Sequence, residues 1–373
     1  MRIGIDARMM GAGNTRGIGR YIQELISALL TIDASHTFVL LHRDPSTSPF
    51  LHHVRVEHIC ADVPWYSVLE QTHLPRFVRD ARAEFFHFPH WNIPIALHSP
   101  YVVTIHDLLL LHQPSSAKAS THSPIVAFAK RLGHRLVLKR AVERARMICA
   151  PTQFVANDLM QTMGVPSNRI VMTGEGLSRL PLPDTSRVPT KPYLLYVGSA
   201  YPHKRLDVLL DAWPMLSQRH LALQLVIAGE KDVFMQRHAD RVRRDHLERV
   251  HFPGRLSDAE LAGFFSLAAL FVFPSSHEGF GLPPLEALSF GCPVIVSDIA
   301  VLREVLPTSG VFFFREGDKD AMIRTIETQL DRLSDARREA KEGGSIGAKR
   351  HDWHAVARST LAVYEKITSR VPY

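Results

Sequence analysis

A chain of 373 residues is too long for one compact core, so two domains of ordinary size are expected. Hydrophobic residues at 46% and charged residues at 22% suit a soluble globular protein, and no run of 18 apolar residues offers a membrane-spanning helix. The net charge of +7 is uneven: residues 1–190 hold 20 Lys and Arg against 14 Asp and Glu, while residues 191–373 hold 24 against 23.

The opening MRIGIDARMM reads as a strand and a loop, without the apolar core and cleavage site of a signal peptide. A cytoplasmic location is the expectation. Further strands are read at Phe38–Leu41, Val54–Ile59, Phe85–His87, Tyr101–Ile105 and Met147–Ala150, with helices between them, notably Tyr21–Thr31 and Lys130–Arg144. The stretch 128–146, FAKRLGHRLVLKRAVERAR, carries seven basic residues and one acidic, and Val126, Ala129, Leu132, Leu136 and Ala141 keep a rough helical apolar spacing. Such a helix suits a peripheral contact with anionic lipid, or else is a packed helix with a solvated basic face. The proline-rich 178–192 reads as a linker.

A second alternating series follows, with strands at Tyr193–Gly198, Leu223–Ala228, Val250–Pro253, Leu270–Pro274 and Pro293–Ser297. Helices are read at Leu206–Trp213, Asp258–Leu267 and around Pro284–Ser289, and a last one at His354–Lys366. Strands alternating with helices argue for parallel sheets covered by helices. Cys60, Cys149 and Cys292 are far apart and form neither a disulfide nor a metal pattern.

Four segments carry chemistry. In Pro274-Ser-Ser-His-Glu-Gly-Phe-Gly-Leu-Pro-Pro-Leu-Glu286 a strand gives way to a glycine-bearing loop and then a helix, a geometry that aims backbone N–H groups at an anion. Gly279 and Gly281 permit close backbone approach, and the carboxylates of Glu278 and Glu286 stand eight residues apart. In Tyr196-Val-Gly-Ser-Ala-Tyr-Pro-His-Lys204, the lysine after a strand is a suitable phosphate partner. Near the start, Thr15-Arg-Gly17-Ile-Gly19-Arg-Tyr21 opens onto a helix. Val103-Thr-Ile-His106-Asp107 delivers a His–Asp pair to the carboxyl end of a strand.

With these residues in this order, the chain resembles the retaining glycosyltransferases of family 4. Their E-x7-E motif matches Glu278 and Glu286, flanked by EGFGLPPLEA close to the family pattern. The resemblance is dense over about 190–315 and looser, but in order, over 1–175. It implies a GT-B fold: two doubly wound, Rossmann-like α/β domains facing across a cleft. Residues 1–180 would bind the acceptor, 190–350 the nucleotide sugar, and 351–373 would form a helix crossing back to the first domain.

The same resemblance implies the site. Lys204 would grip the donor diphosphate, Glu278 contact the transferred sugar, Glu286 the ribose, and His106 the sugar near the reacting centre. Gly17, Gly19, Arg205, Arg255, Gly279, Phe280, Gly281 and Leu282 would be donor contacts. Two positions depart from the pattern. Arg16 replaces the first loop glycine, and Ser199 stands where many members have an arginine, with His203 or Arg205 as candidate substitutes. IGIDAR, GIGRY and YVG followed by PxK resemble a branch rich in mannosyltransferases of bacterial surface polysaccharide, including lipopolysaccharide. GDP-mannose is then the expected donor, and a lipid-linked oligosaccharide or polysaccharide the expected acceptor. A UDP-sugar enzyme or an inactive scaffold of the same fold are the alternatives. No cofactor and no metal are expected, since cationic side chains and backbone amides can take a metal's role and no DxD pair is placed to hold one. A dinucleotide-binding dehydrogenase would need a third glycine after Gly17 and Gly19, and no nucleic-acid-binding module is visible.

Overall fold

The structure, a computed structural model, describes residues 1–11, 17–113 and 124–368. Short apolar runs become strands. In the first half these are β1 (Arg2–Asp6), β2 (Thr37–His42), β3 (Val56–Cys60), β4 (Phe85–Phe88), β5 (Tyr101–Thr104), β6 (Met147–Ala150) and β7 (Ile170–Met172). The second half supplies β8 (Tyr193–Val197), β9 (Gln224–Ala228), β10 (Val250–Gly254), β11 (Leu270–Phe273), β12 (Val294–Ser297) and β13 (Val311–Phe314). They form two wholly parallel sheets, in the orders β3-β2-β1-β4-β5-β6-β7 and β10-β9-β8-β11-β12-β13. β4, β5, β6, β8, β11 and β12 are buried along their whole length. A parallel sheet covered on both faces by helices selects such continuous apolar strands over alternating ones.

The helices are α1 (Ile18–Ile32), α2 (Val68–Asp80), the single turn α3 (Leu109–His112), α4 (Pro124–Arg144) and α5 (Gln153–Met163). They continue with α6 (Leu206–Arg219), α7 (Val233–Arg244), α8 (Asp258–Leu267), α9 (Leu282–Ser289), α10 (Ala300–Val305), α11 (Lys319–Asp331), α12 (Leu333–Arg350) and α13 (Trp353–Thr368). Their starts are encoded locally. Ser67, Thr152, Asp232 and Asp318 each accept a backbone N–H at an N-cap, and Ser257 with Glu260 makes a capping box.

Two compact units result. One takes in Met1–Leu111, Pro124–Gly176 and the C-terminal helix, and the other Leu177–Arg350. The first has a core on each face of its sheet. α1 and α13 pack together on one side, with Tyr21, Leu25, Trp353 and Tyr364 buried, and α2, α4 and α5 contribute to the other. Tyr364 anchors α13 by bonding His87 Nδ1 at 2.7 Å, while His87 Nε2 meets Thr104 Oγ1 at 2.8 Å.

α4 departs from the apolar face read in the sequence. Leu138, Ala141, Val142 and Ala145 at its end are buried, whereas Leu132 and Leu136 are 60% and 48% exposed and Phe128 is 69% exposed. These three lie four residues apart among the exposed Lys130, Arg135, Lys139 and Arg140. The side chains of Val126 and Ala129 lie outside the described residues.

Candidate functional site

In each sheet the strand order reverses beside the unit's first strand, and loops at the carboxyl ends of the strands flanking such a point border a ligand crevice. In the second unit the reversal falls between β8 and β11. The loop after β8 runs through a single turn, Pro202–Lys204, to Arg205, which begins α6 in the left-handed region at φ 49°. The loop after β11 is stitched to it: the Ser276 amide donates to the His203 carbonyl at 2.8 Å, as do the Ser275 and Ser276 hydroxyls at 3.2 and 3.1 Å.

That stitching brings together Lys204 and Glu278, 74 positions apart in the chain. Nζ lies 2.6 Å from Oε1, and only 16% and 10% of the two side chains are exposed. The ammonium also sits 5.2 Å from the Phe273 ring centroid, a cation–π contact. The neighbouring cations serve elsewhere. Burial, with Lys204 and His277 adding to it, pushes the His203 imidazole down to about 3, so the ring is neutral at physiological pH. Arg205 is turned to Glu316 at 3.3 Å and Asp207 at 3.5 Å. Neither supplies a free cation in place of the arginine that Ser199 replaces. Arg255 is exposed just beyond β10, an edge strand two positions away from β8.

α9 begins at Gly281, whose φ of 98° favours glycine and where a Cβ would meet Leu302 Cδ2 at 2.5 Å. The sequence suggested a full helix N-terminus for an anion. Pro283 and Pro284, the second and third helical residues, carry no N–H, so the amides at this end come from Gly281, Leu282 and the loop before them. Phe280 is buried beneath the loop, and Glu286 is buried in the second turn of α9.

In the first unit the reversal falls between β1 and β4. Gly17, at φ 66°, is the N-cap of α1 and has open space around it, while Gly19 lies buried inside the first turn rather than in the loop. Arg16 lies outside the described residues. His106 follows β5. Its Nε2 lies 3.0 Å from the Pro89 carbonyl, which can only accept, so Nε2 carries the proton and Nδ1 is left as the acceptor. Burial lowers the His106 pKa against opposing effects of that hydrogen bond and of Asp107, which favours the neutral ring. The Tyr21 ring meets it edge-on at 4.7 Å. Asp107 Oδ1 accepts the Leu109 N–H at 2.9 Å and starts α3.

Two features escaped the sequence reading. One is a buried ion network: the Arg8 guanidinium bonds both Asp6 oxygens (2.8 and 2.7 Å) and Glu70 Oε1 (2.8 Å), and Asn92 Nδ2 donates to the same Glu70 oxygen at 2.6 Å. The other is a set of rings around Tyr66, drawn from three separate segments. The only signal for either was the charged pair in IDAR at the end of β1.

Comparison with known proteins covers both units. Residues 16–176 match the family of glycosyl transferase 4-like domains, and residues 183–344 match glycosyl transferases group 1. O-antigen chain mannosyltransferase B of Escherichia coli is 26% identical over 380 residues, covering 94% of this chain and 96% of its own. O-antigen chain mannosyltransferase RfbU of Salmonella typhimurium is 27% identical over 248 residues, 66% of this chain and 65% of its own. Among solved structures, Anabaena Alr3699/HepE in complex with UDP-glucose shares the fold with a TM-score of 0.74 at 17% identity, over 98% of this chain and 99% of the other.

Proposed function

Because the chain belongs to the GT-B glycosyltransferases of group 1, we propose that it is a retaining hexosyltransferase that moves mannose from GDP-mannose to a lipid-linked oligosaccharide or polysaccharide in surface-glycan synthesis. The observation that carries the reading is the Lys204–Glu278 pair at the strand-order reversal of the second unit. An ammonium held beside a carboxylate, with glycine amides following, is suited to a donor whose diphosphate must be neutralised and whose sugar offers hydroxyls.

In the proposed step the acceptor hydroxyl attacks the anomeric carbon on the face from which the diphosphate departs. The anomeric C–O bond to phosphate breaks, the new glycosidic bond forms, and the leaving phosphate oxygen takes the acceptor's proton. Lys204 and the amides of Gly279–Leu282 stabilise the departing diphosphate, a task of position and electrostatics that needs no covalent intermediate. Glu278 accepts hydroxyls of the transferred sugar and Glu286 those of the ribose. His106, whose neutral form burial favours and whose Nδ1 is left as an acceptor, accepts a hydrogen bond from a sugar hydroxyl rather than donating one. Mannose is favoured by the names of the E. coli and Salmonella relatives. The UDP-glucose complex of the Anabaena protein favours the alternative, the same chemistry with a UDP-sugar.

Calorimetric titration with GDP, UDP and ADP tests the reading. Preference for GDP supports the mannosyl donor, preference for UDP replaces it, and binding of none removes the enzyme assignment. Full activity in a chelator is expected; loss of activity there would overturn the metal-free scheme.

For the acceptor side, we propose that α4 rests on anionic lipid. The support is the exposed Phe128, Leu132 and Leu136 among exposed Lys130, Arg135, Lys139 and Arg140. Cations near such a surface contribute about 1 kcal/mol each. Co-sedimentation with vesicles containing phosphatidylglycerol should fall at least tenfold when Lys130, Arg135 and Lys139 become Gln; unchanged binding would refute it.

A further inference from the structure

A bulky residue rarely adopts a left-handed backbone unless its surroundings force it, and Tyr66 does so at φ 57°. What holds it is the buried network. Glu70, bonded to Arg8 and Asn92, accepts the Tyr66 N–H through Oε2 at 2.9 Å. Asn92 ties the same carboxylate to the chain next to Trp91. Arg8 is 1% exposed and Glu70 likewise, so this is a rigid foundation of charges with nowhere else to go.

What it holds is a set of rings. Tyr66 lies 5.5 Å from Trp91 and 5.6 Å from His134 between centroids, and Trp91 lies 5.6 Å from His134. The Tyr66 hydroxyl bonds His90 Nε2 at 2.8 Å. Despite these contacts Tyr66 remains 50% exposed. His90 and Trp91 follow β4, one of the two strands flanking the reversal point, and His106 follows the adjacent β5. Asp107 is near enough to Tyr66 to help raise its phenol pKa, and with Oδ1 committed to Leu109 it has Oδ2 to offer a hydroxyl. Burial pushes His90 down to about 3, so its imidazole is neutral at physiological pH.

A strained, half-exposed aromatic ring fixed by a buried ion network beside a ligand crevice is a costly arrangement for a surface with no ligand. We propose that Tyr66, Trp91 and His134 form a stacking platform for a pyranose unit of the acceptor glycan, with Asp107 accepting one of its hydroxyls. The chemistry is complementary: the C–H face of a pyranose is apolar and its rim is polar, and an aromatic ring beside a carboxylate serves both. The proposal rests on the glycosyltransferase reading and adds to it the place and character of an acceptor subsite.

The test is saturation-transfer NMR on the full chain with methyl α-D-mannopyranoside, methyl β-D-glucopyranoside and methyl α-D-galactopyranoside as probes, alongside calorimetry with GDP and UDP. Tyr66→Asn removes the ring while keeping a residue that accepts the left-handed backbone, and His134→Ala alters a position on α4 with no hydrogen bond to lose among the described residues. Transfer to ring protons of at least one pyranoside is expected. Its affinity should fall at least tenfold in Tyr66→Asn and at least threefold in His134→Ala, with nucleotide affinity unchanged. Equal pyranoside binding in wild type and variants, or no pyranoside binding where a nucleotide does bind, overturns the platform and leaves the enzyme reading standing. Failure of every nucleotide to bind removes both.

Discussion

Glu278→Gln separates the two tasks assigned to the Lys204–Glu278 pair. Without ligand, Glu278 competes with any incoming diphosphate for the Lys204 ammonium, and its own negative charge repels the phosphates. The pair is neither on the surface, where such contacts contribute about 0–1 kcal/mol, nor fully dry, where breaking one costs about 3–5 kcal/mol; exposures of 16% and 10% place it between. Releasing Lys204 should therefore improve the binding of GDP or UDP by about 1–2 kcal/mol, roughly 5- to 30-fold. The same substitution removes the carboxylate proposed to accept sugar hydroxyls, so transfer should slow by about a hundredfold, the scale of losing a stabilising contact of about 2.7 kcal/mol. The companion Lys204→Met should weaken nucleotide binding by about 2 kcal/mol, roughly 30-fold. Calorimetry at fixed salt reads the affinities and a donor-consumption assay the rate. If Glu278→Gln bound the nucleotide more weakly than wild type, Lys204 would not be the cation that the diphosphate claims.

Acid should destabilise the fold well before the carboxylates titrate. His42 is pushed down to about 4 by burial and by His58, His87 to about 3 by burial and by His106, and His203 likewise to about 3. Between the ordinary value near 6.5 and these depressed values the unfolded chain binds more protons, so stability falls as pH falls. Each buried ring contributes a loss of about 1.6 kcal/mol between pH 6.5 and pH 5; a flat melting temperature over that interval would contradict it. Gly281→Ala places a Cβ against Leu302 at a φ of 98°. A cost of about 1–3 kcal/mol is expected, seen as a lower melting temperature together with weaker nucleotide binding. Tyr364→Phe removes the hydroxyl that bonds His87 Nδ1 and should cost about 1–2 kcal/mol in thermal unfolding, with nucleotide affinity in the other unit unchanged.

Parts of this molecule were legible in one dimension because the physics that fixes them is local or repetitive. β6 and α8 fall where their residues were read, Met147–Ala150 and Asp258–Leu267: a strand buried on both faces must be an unbroken apolar run, and a capping box announces a helix start. β7 was missed because a three-residue edge strand, half-buried and preceded by polar residues, has no such run. Within the site, the resemblance to family 4 picked out Lys204 and Glu278, but only the strand order explains why residues 74 positions apart touch. The adjacent Arg205 was a candidate substitute for the arginine that Ser199 replaces; its charge is claimed by Glu316, 111 positions away, a contact that no local pattern encodes. The same limit applies more strongly to Tyr66, Trp91 and His134. They come from a loop, a strand end and a helix, and share no period and no motif. Burying Arg8 forces the Asp6 and Glu70 carboxylates to converge on it, Asn92 donates to the Glu70 carboxylate, and that convergence fixes the chain on both sides of the rings. A sequence displays the charges one at a time, whereas the aromatic surface exists only once their mutual burial has been satisfied.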